Sequence, residues 1–461
     1  MEETASTISD PIKNHQEHEE NRAEEIDPII PESASMVGEI AIKESTVTQQ
    51  MNELTLDQKE MQIETRETNE ISQEVDKNSL EDDTQNLSSK TEENEDQIFK
   101  YNWSISPILL CSATEEYEPN ANCENFTKGC LWSPDGTCLL VPAEDFRLRV
   151  YELPTILYSG KFPQDSLSSL KPVFSIKEGG IVYDCSWYPL MNSWQPETCC
   201  FISTSKETPI HLWDAFTGQL RATYRAYNQV DEVEAAISVQ FSDHGQTVWA
   251  GFKGALRSFD TNRPGRQIED IFLKHDFPNV TGIVSCIREN PKMPGLLAFG
   301  TYSKCIGLYN NGPLCSFKAS SGVTQVEFSP CGTKLYAAVR RNDEFVCWDL
   351  RNPGIILYSL EGRRSNTNQR IQFSSSPDGN DVISGGTNGV VNVWKTSEIN
   401  CSEIQPSWRI SLSGDCVNGV NVHKCLPIMA TSSGQRLCEE DLVIRDNSVR
   451  LWYCGFGIDK S

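Results

Sequence analysis

The first 98 residues contain no cysteine, tryptophan, tyrosine or phenylalanine. Glu, Gln, Asn, Ser and Thr dominate instead, and residues 1–100 hold 27 of the 65 acidic residues against 8 of the 40 Lys and Arg, a balance of −19. Such a segment cannot bury enough apolar surface to offset the entropy of ordering it, so residues 1–98 are expected to form a disordered acidic N-terminal region. The opening MEETASTISD has no apolar core of the kind a signal peptide needs, and no stretch approaches the ~20 apolar residues of a membrane span. All 17 cysteines lie in the remainder, yet none falls in a C-x-x-C pair, so neither a disulfide framework nor a zinc site is indicated. A zinc-type histidine pair and a P-loop are missing too, and GGTNGV (385–390) is too short and wrongly placed to cradle a phosphate. His211, His244, His275 and His423 show no local Ser, Cys or Asp pattern of a catalytic site. These absences point to a soluble, non-enzymatic protein of the cytosol or nucleus, with no metal, cofactor or membrane.

What the chain does contain is a repeat. Seven short apolar strands end in an aromatic residue: LRVYEL at Tyr151, IHLWD at Trp213, LRSFD at Phe259, IGLYN at Tyr309, FVCWD at Trp348, VNVWK at Trp394 and VRLWY at Trp452. Their spacings of 62, 46, 50, 39, 46 and 58 residues sit close to the ~40–45 of a WD40 unit with loop insertions. Upstream of most of them runs a tight turn between strands (WSPDGT, FSDHGQT, FSPCGT or SSPDGN), where glycine supplies positive φ. Residues 99–461 are therefore expected to form a seven-bladed WD40 β-propeller, an all-β fold. The last repeat lacks an outer strand, because CGFGIDKS is too short and glycine-rich to make one. NWSISPILLC (102–111) is expected to supply it and so close the ring without an open sheet edge.

Loop sequences narrow the reading further. PIHLWDAFTGQLRATYRAYNQVDEVEAA (209–236), TNQRIQF (367–373), CVNGVNVH (416–423) and LPIMATSSGQR (426–436), with FTKGCLWSPDGTCLL (126–140) and NRPGRQIED (262–270), resemble the telomerase Cajal body protein 1 family over nearly all of 101–461. The resemblance implies a nuclear, non-enzymatic WD40 protein that binds the CAB box of small Cajal-body RNAs and, in many animals, telomerase RNA. It also implies box H/ACA ribonucleoprotein proteins and Cajal-body scaffold proteins as partners. Residence would be in the Cajal body, with a telomeric and a cytoplasmic pool, and a monomer is expected.

Assigning loops from the repeat register places Lys128, Arg147, Lys206, Arg225, Lys253, Lys304, Arg340, Arg341, Arg363, Arg364, Arg370 and Arg436 on one face of the ring. Residues 101–461 carry 38 acidic and 32 basic groups, so a face gathering cations can still attract phosphate despite the net charge. Tyr227 and Asn228 stand beside Arg225, Asn368 and Gln369 beside Arg370, and Asn418 follows Cys416. Aromatic rings, amides and arginines in one surface suit single-stranded RNA, whose bases stack and whose edges and phosphates accept hydrogen bonds. The RNA-binding candidates are thus Lys128, Arg147, Arg225, Tyr227, Asn228, Lys253, Arg340, Arg341, Asn368, Gln369, Arg370, Asn418 and Arg436. WDAFTG is read as a structural turn, and exposed loops carry idle Lys and Arg in any propeller. An alternative function remains open: Trp348-Asp349-Leu350-Arg351 resembles the W-D-x-R ending of substrate adaptors for cullin-type ubiquitin ligases.

Overall fold

A computed structural model describes residues 100–119, 124–159, 162, 167, 169–397, 401–436 and 445–456. The region read as disordered, 1–98, lies outside the described residues. The repeats fold as seven antiparallel blades of four strands, each with its aromatic-ended strand third from the centre. Blade 1 is Leu131–Trp132, Cys138–Pro142, Arg147–Glu152 and Phe174–Lys177, and blade 2 is Val182–Trp187, Cys200–Ser205, Ile210–Asp214 and Leu220–Tyr224. Blade 3 is Ser238–Ser242, Thr247–Gly251, Ala255–Asp260 and Glu269–Phe272, and blade 4 is Val284–Asn290, Met293–Thr301, Cys305–Tyr309 and Pro313–Lys318. Val323–Phe328, Lys334–Val339, Phe345–Asp349 and Ile356–Leu360 make blade 5, whose outer edge is covered by a parallel strand, Glu403–Ile404. Blade 6 comprises Phe373–Ser375, Asp381–Ser384, Val390–Lys395 and Trp408–Ser411.

Blade 7 closes the ring as the missing strand required. Its first three strands are Val417–Val422, Ile428–Ser433 and Val449–Tyr453, and its fourth is Ile108–Ala113, with Leu109 opposite Trp452. Leu110, Cys111 and Ala113 are buried with Ile428, Ala430 and Leu451 against Trp132, Leu139 and Val141 of blade 1. The joint is reinforced where the Asn102 N–H donates to the Cys454 carbonyl at 2.7 Å and Trp103 Nε1 donates to Asp381 of blade 6 at 2.9 Å.

Local chemistry sets the blades. In WSPDGT, Asp135 accepts from Ser133 Oγ at 2.6 Å and from the Thr137 N–H at 3.1 Å, which fixes the reversal. Gly136 sits at φ 76°, and a Cβ there would lie 2.2 Å from His423 Nε2 of blade 7, so the blade 7–blade 1 contact also requires glycine. Trp213 Nε1 donates to Ser203 Oγ at 2.8 Å, and His211 and Ser203 both bond Glu178. Burial pushes the Glu178 carboxyl up, but bonds from His211, Ser203 and Ser205 outweigh it and hold the group below the usual range. WDAFTG is the turn expected: Asp214 accepts from the Phe216 and Thr217 N–H groups and from Arg221. In the strand that follows, Tyr224 and Ala226 are buried but Leu220 is exposed at the rim of its blade. Fifteen cysteines are described and all are free, most of them buried among apolar side chains. Among the described residues no helix is long and apolar enough to cross a membrane.

Candidate nucleic-acid interface

In each blade the loop between the second and third strands meets the connection that enters the first strand. The pairing of Thr127 with Ala143, the Tyr302 N–H to Ile283 carbonyl bond of 3.0 Å and the Arg340 N–H to Gly322 carbonyl bond of 2.8 Å are instances of this meeting, and Lys253 pairs with Ile283 across to the next blade. All twelve cations assigned to one face of the ring lie in or beside these loops. Their chemistry, however, divides them.

One group is committed to carboxylates. Glu144 holds both Lys128, at 2.7 Å, and Arg436, at 2.5 Å. Arg147 donates to Ser175 Oγ at 2.9 Å and lies 3.9 Å from Asp145. Arg370 is the largest correction to the exposed-loop reading. It reaches across the central channel from blade 6, where Nη1 meets Asp184 of blade 2 at 3.1 Å and Nη2 donates to the Ser285 carbonyl of blade 4 at 3.0 Å. Asp184 is buried, and its other oxygen accepts the Val239 N–H of blade 3 at 3.2 Å. Burial opposes the Arg370 charge, but Asp184 outweighs it and raises the guanidinium pKa. Arg370 thus pins three blades to a fourth.

The amides are also largely spent. Asn418 is buried, a correction to its placement as a surface reader: its Nδ2 donates to the Thr127 and Gly434 carbonyls at 2.7 and 2.6 Å, and its Oδ1 accepts from Ser432 and Thr127. Asn228 Oδ1 accepts from the Val230 and Glu232 N–H groups, and Nδ2 meets Glu232, which builds the turn of a small hairpin, Ala226–Tyr227 with Val233–Glu234. That hairpin docks on blade 3, where Gln267 bonds the Tyr227 backbone and the Arg266 guanidinium covers the Tyr227 ring at 4.6 Å. Gln369 ties Gly434 and Arg436 to the channel mouth. Among the described residues Asn368 alone of the candidate amides is exposed without a bond.

Lys206 pairs with its neighbour Glu207 at 3.3 Å, and the other seven cations have no carboxylate within ion-pair distance among the described residues. Arg225, Lys253, Lys304, Arg341 and Arg364 are exposed. Arg340 lies flat on the Tyr302 ring at 3.6 Å, and its buried Nε has no partner. Arg363 is buried against the Phe345 ring at 4.0 Å, and burial pulls its guanidinium down to about 9 against the opposing pull of Asp343 and Cys416. Lys304, Arg340, Arg341, Arg363 and Arg364 all belong to the sector of blades 4 to 6. Tyr302, the flat partner of Arg340, and Glu144 and Asp184, the acids that spend Lys128, Arg436 and Arg370, were missed. The acidic pair in VPAEDFR was a usable signal for Glu144; Asp184 acts across the ring, 186 residues from its partner, and no local pattern marks it.

No family model matches the chain. It is similar to telomerase Cajal body protein 1 of Mesocricetus auratus, with 40% identity over 393 residues covering 79% of this chain and 72% of that relative. The human protein of the same name is 39% identical over 395 residues, covering 80% and 71%. Telomerase Cajal body protein 1 homolog of Drosophila melanogaster is 40% identical over 351 residues, covering 72% and 62%.

Proposed function

The chain belongs to the telomerase Cajal body protein 1 family, and on that premise we propose that it is a non-enzymatic RNA-binding scaffold of the nucleus. Its clients would be small Cajal-body RNAs carrying the CAB box, and telomerase RNA where the organism uses one of that class, each delivered as a box H/ACA particle. The single observation carrying the RNA reading is the concentration of unpaired cations in the loops of one face, above all in the sector of blades 4 to 6. A cation already closed on a carboxylate releases no counterion from a bound phosphate without first breaking its own pair, whereas an unpaired one does. Crosslinking the protein to RNA in intact nuclei and sequencing the captured fragments tests the proposal. Reads centred on the terminal loops of box H/ACA small RNAs are expected; reads spread over ribosomal and messenger RNA would reject it.

The ubiquitin-ligase alternative gains nothing from the geometry. Arg351 of the W-D-x-R ending folds back on Asp349, with Nε to Oδ1 at 3.0 Å and Nη2 to Oδ2 at 2.8 Å. Its fork is spent within its own turn, so no observation favours that reading.

A further inference from the structure

Most arginines of the described chain close on a carboxylate, as Arg149 does on Asp145, Arg257 on Glu234 and Asp270, and Arg450 on Asp446. The junction of blades 5 and 6 breaks this habit. Arg363 is 2% exposed, yet its five N–H groups make one long hydrogen bond, from Nη1 to Ser384 Oγ at 3.4 Å. Among the described residues Nε is sealed without a partner, and Nη2 has no partner but is not sealed. The nearby acid, Asp343, accepts the Ser365 N–H at Oδ1 at 2.7 Å and forms no ion pair among the described residues. A buried cation is ordinarily paired and hydrogen-bonded, because burial strips away the water that would otherwise satisfy it. Here the protein provides aromatic support beneath the guanidinium and leaves its donors unspent.

The surroundings extend the charge. The backbone alternates so that Arg363 and Ser365 turn inward while Arg364, Asn366 and Asn368 turn outward. Three bonds fix the loops to one another: Arg341 N–H to the Thr367 carbonyl at 3.1 Å, Thr387 N–H to the Arg364 carbonyl at 2.8 Å, and Ser365 Oγ to the Asn342 carbonyl. Gly386 forms the facing wall, where a Cβ would come within 2.8 Å of Asn388 Oδ1 and 3.1 Å of the Arg364 carbonyl. Arg341 and Arg364 therefore stand on a braced frame around Arg363.

We propose that this junction is a phosphodiester site for single-stranded RNA, in which Arg363 grips one backbone phosphate and Arg341 and Arg364 hold its neighbours. The inference rests on the RNA-binding reading above and assigns its phosphate grip to blades 5 and 6, away from the hairpin at Arg225 and the channel arginine Arg370. A polymer with regularly repeated charges matches three unpaired arginines better than a single phosphoryl group does. The Arg340–Tyr302 stack at the neighbouring junction adds a flat surface of the kind a base can pack on.

The test uses the full-length protein and a labelled RNA hairpin whose loop carries a CAB box, titrated at four salt concentrations. Arg363→Met keeps the stem over Phe345 but removes the charge. Its affinity at 0.15 M salt should fall about ten-fold, with the salt slope shallower by about 0.7, the single-strand value for one phosphate contact. Its thermal midpoint should stay level or rise, because an unpaired buried charge has been removed; an arginine serving only the fold would show the opposite. The exposed double variant Arg341→Gln with Arg364→Gln should flatten the slope by about 1.4, two such contacts, and it keeps the test open if Arg363→Met fails to fold. Parental affinity and slope in both variants would overturn the site while leaving the RNA reading intact. A parent protein that binds no RNA would overturn both. Displacement of the hairpin by a diphosphorylated serine peptide at equal phosphate concentration would move the site from RNA to phosphoprotein and overturn it as well.

Discussion

Removing the Arg370 guanidinium should damage the ring itself. Arg370→Met leaves Asp184, whose side chain is 4% exposed, with its charge uncompensated and the Ser285 carbonyl without its donor. Breaking a buried pair from one side typically costs 3–5 kcal/mol. The Arg370 side chain keeps 28% exposure in the channel, so water can partly compensate, and about 3 kcal/mol is the appropriate figure. Unfolding roughly 350 residues at about 2.1 cal/mol/K each gives an entropy near 0.7 kcal/mol/K, so the midpoint should drop by about 4 °C. Calorimetry of the purified protein at pH 7 measures this directly. Adding Asp184→Asn removes the stranded charge and should recover at least half of the loss, while Arg225→Ala should stay within ~0.5 kcal/mol of the parent. An Arg370→Met midpoint within 1 °C of the parent would refute the pinning role. Any RNA defect of Arg370→Met must accordingly be corrected for the fraction folded.

Three other outcomes follow from named contacts. Leu110→Ala in the closing strand should cost about 2–4 kcal/mol, because the side chain is fully buried, whereas Leu220→Ala in the outer strand of blade 2, 49% exposed, should be nearly silent; equal effects in chemical denaturation would reject the closure. Asn418→Ala strands the Thr127 carbonyl and leaves the Gly434 carbonyl only its bond from Gln369, and should lower stability by roughly 1–3 kcal/mol with RNA affinity per folded molecule unchanged; reduced affinity without destabilisation would make Asn418 a reader after all. His423 accepts the Cys425 and Leu426 N–H groups at Nδ1 and meets the Gly136 carbonyl at Nε2, and burial lowers its pKa despite that carbonyl and Asp135. A depressed folded pKa means that the unfolded chain takes the proton first. The His423 contribution is thus full above about pH 6.5 and lost as pH falls through the lower folded value. Stability profiles of parent and His423→Gln should converge below pH 6; parallel profiles down to pH 5 would contradict this assignment.

The ring was legible because its signals are local and repeated. Tyr151, Phe259, Trp348 and Trp394 each close a short apolar strand and each is buried, and the lack of an outer strand after Trp452 pointed to Ile108–Ala113 as its replacement. Face assignment also followed from register alone. What register cannot supply is the partner of each polar group. Arg370 and Arg364 look alike in sequence, yet one closes on Asp184 across the channel and the other is unpaired. Asn418 and Asn368 look alike too, and one is buried under four hydrogen bonds while the other faces solvent. Such differences arise from contacts between blades far apart in the chain, where no spacing rule operates. Tyr227 and Asn228, read as companions of Arg225 on the RNA face, build a hairpin that uses its own amide and tyrosine face.

The central claim is that this ring reads a localisation element in RNA through the loops of one face. Fluorescence anisotropy with two hairpins of identical stem and length, one with the CAB box in its terminal loop and one with that loop scrambled, tests it most directly at 0.15 M salt. The account predicts at least ten-fold tighter binding of the native loop, about 1.4 kcal/mol of discrimination, with both affinities falling as salt rises. Equal affinity for the two loops, or no binding of either by the folded protein, would contradict it.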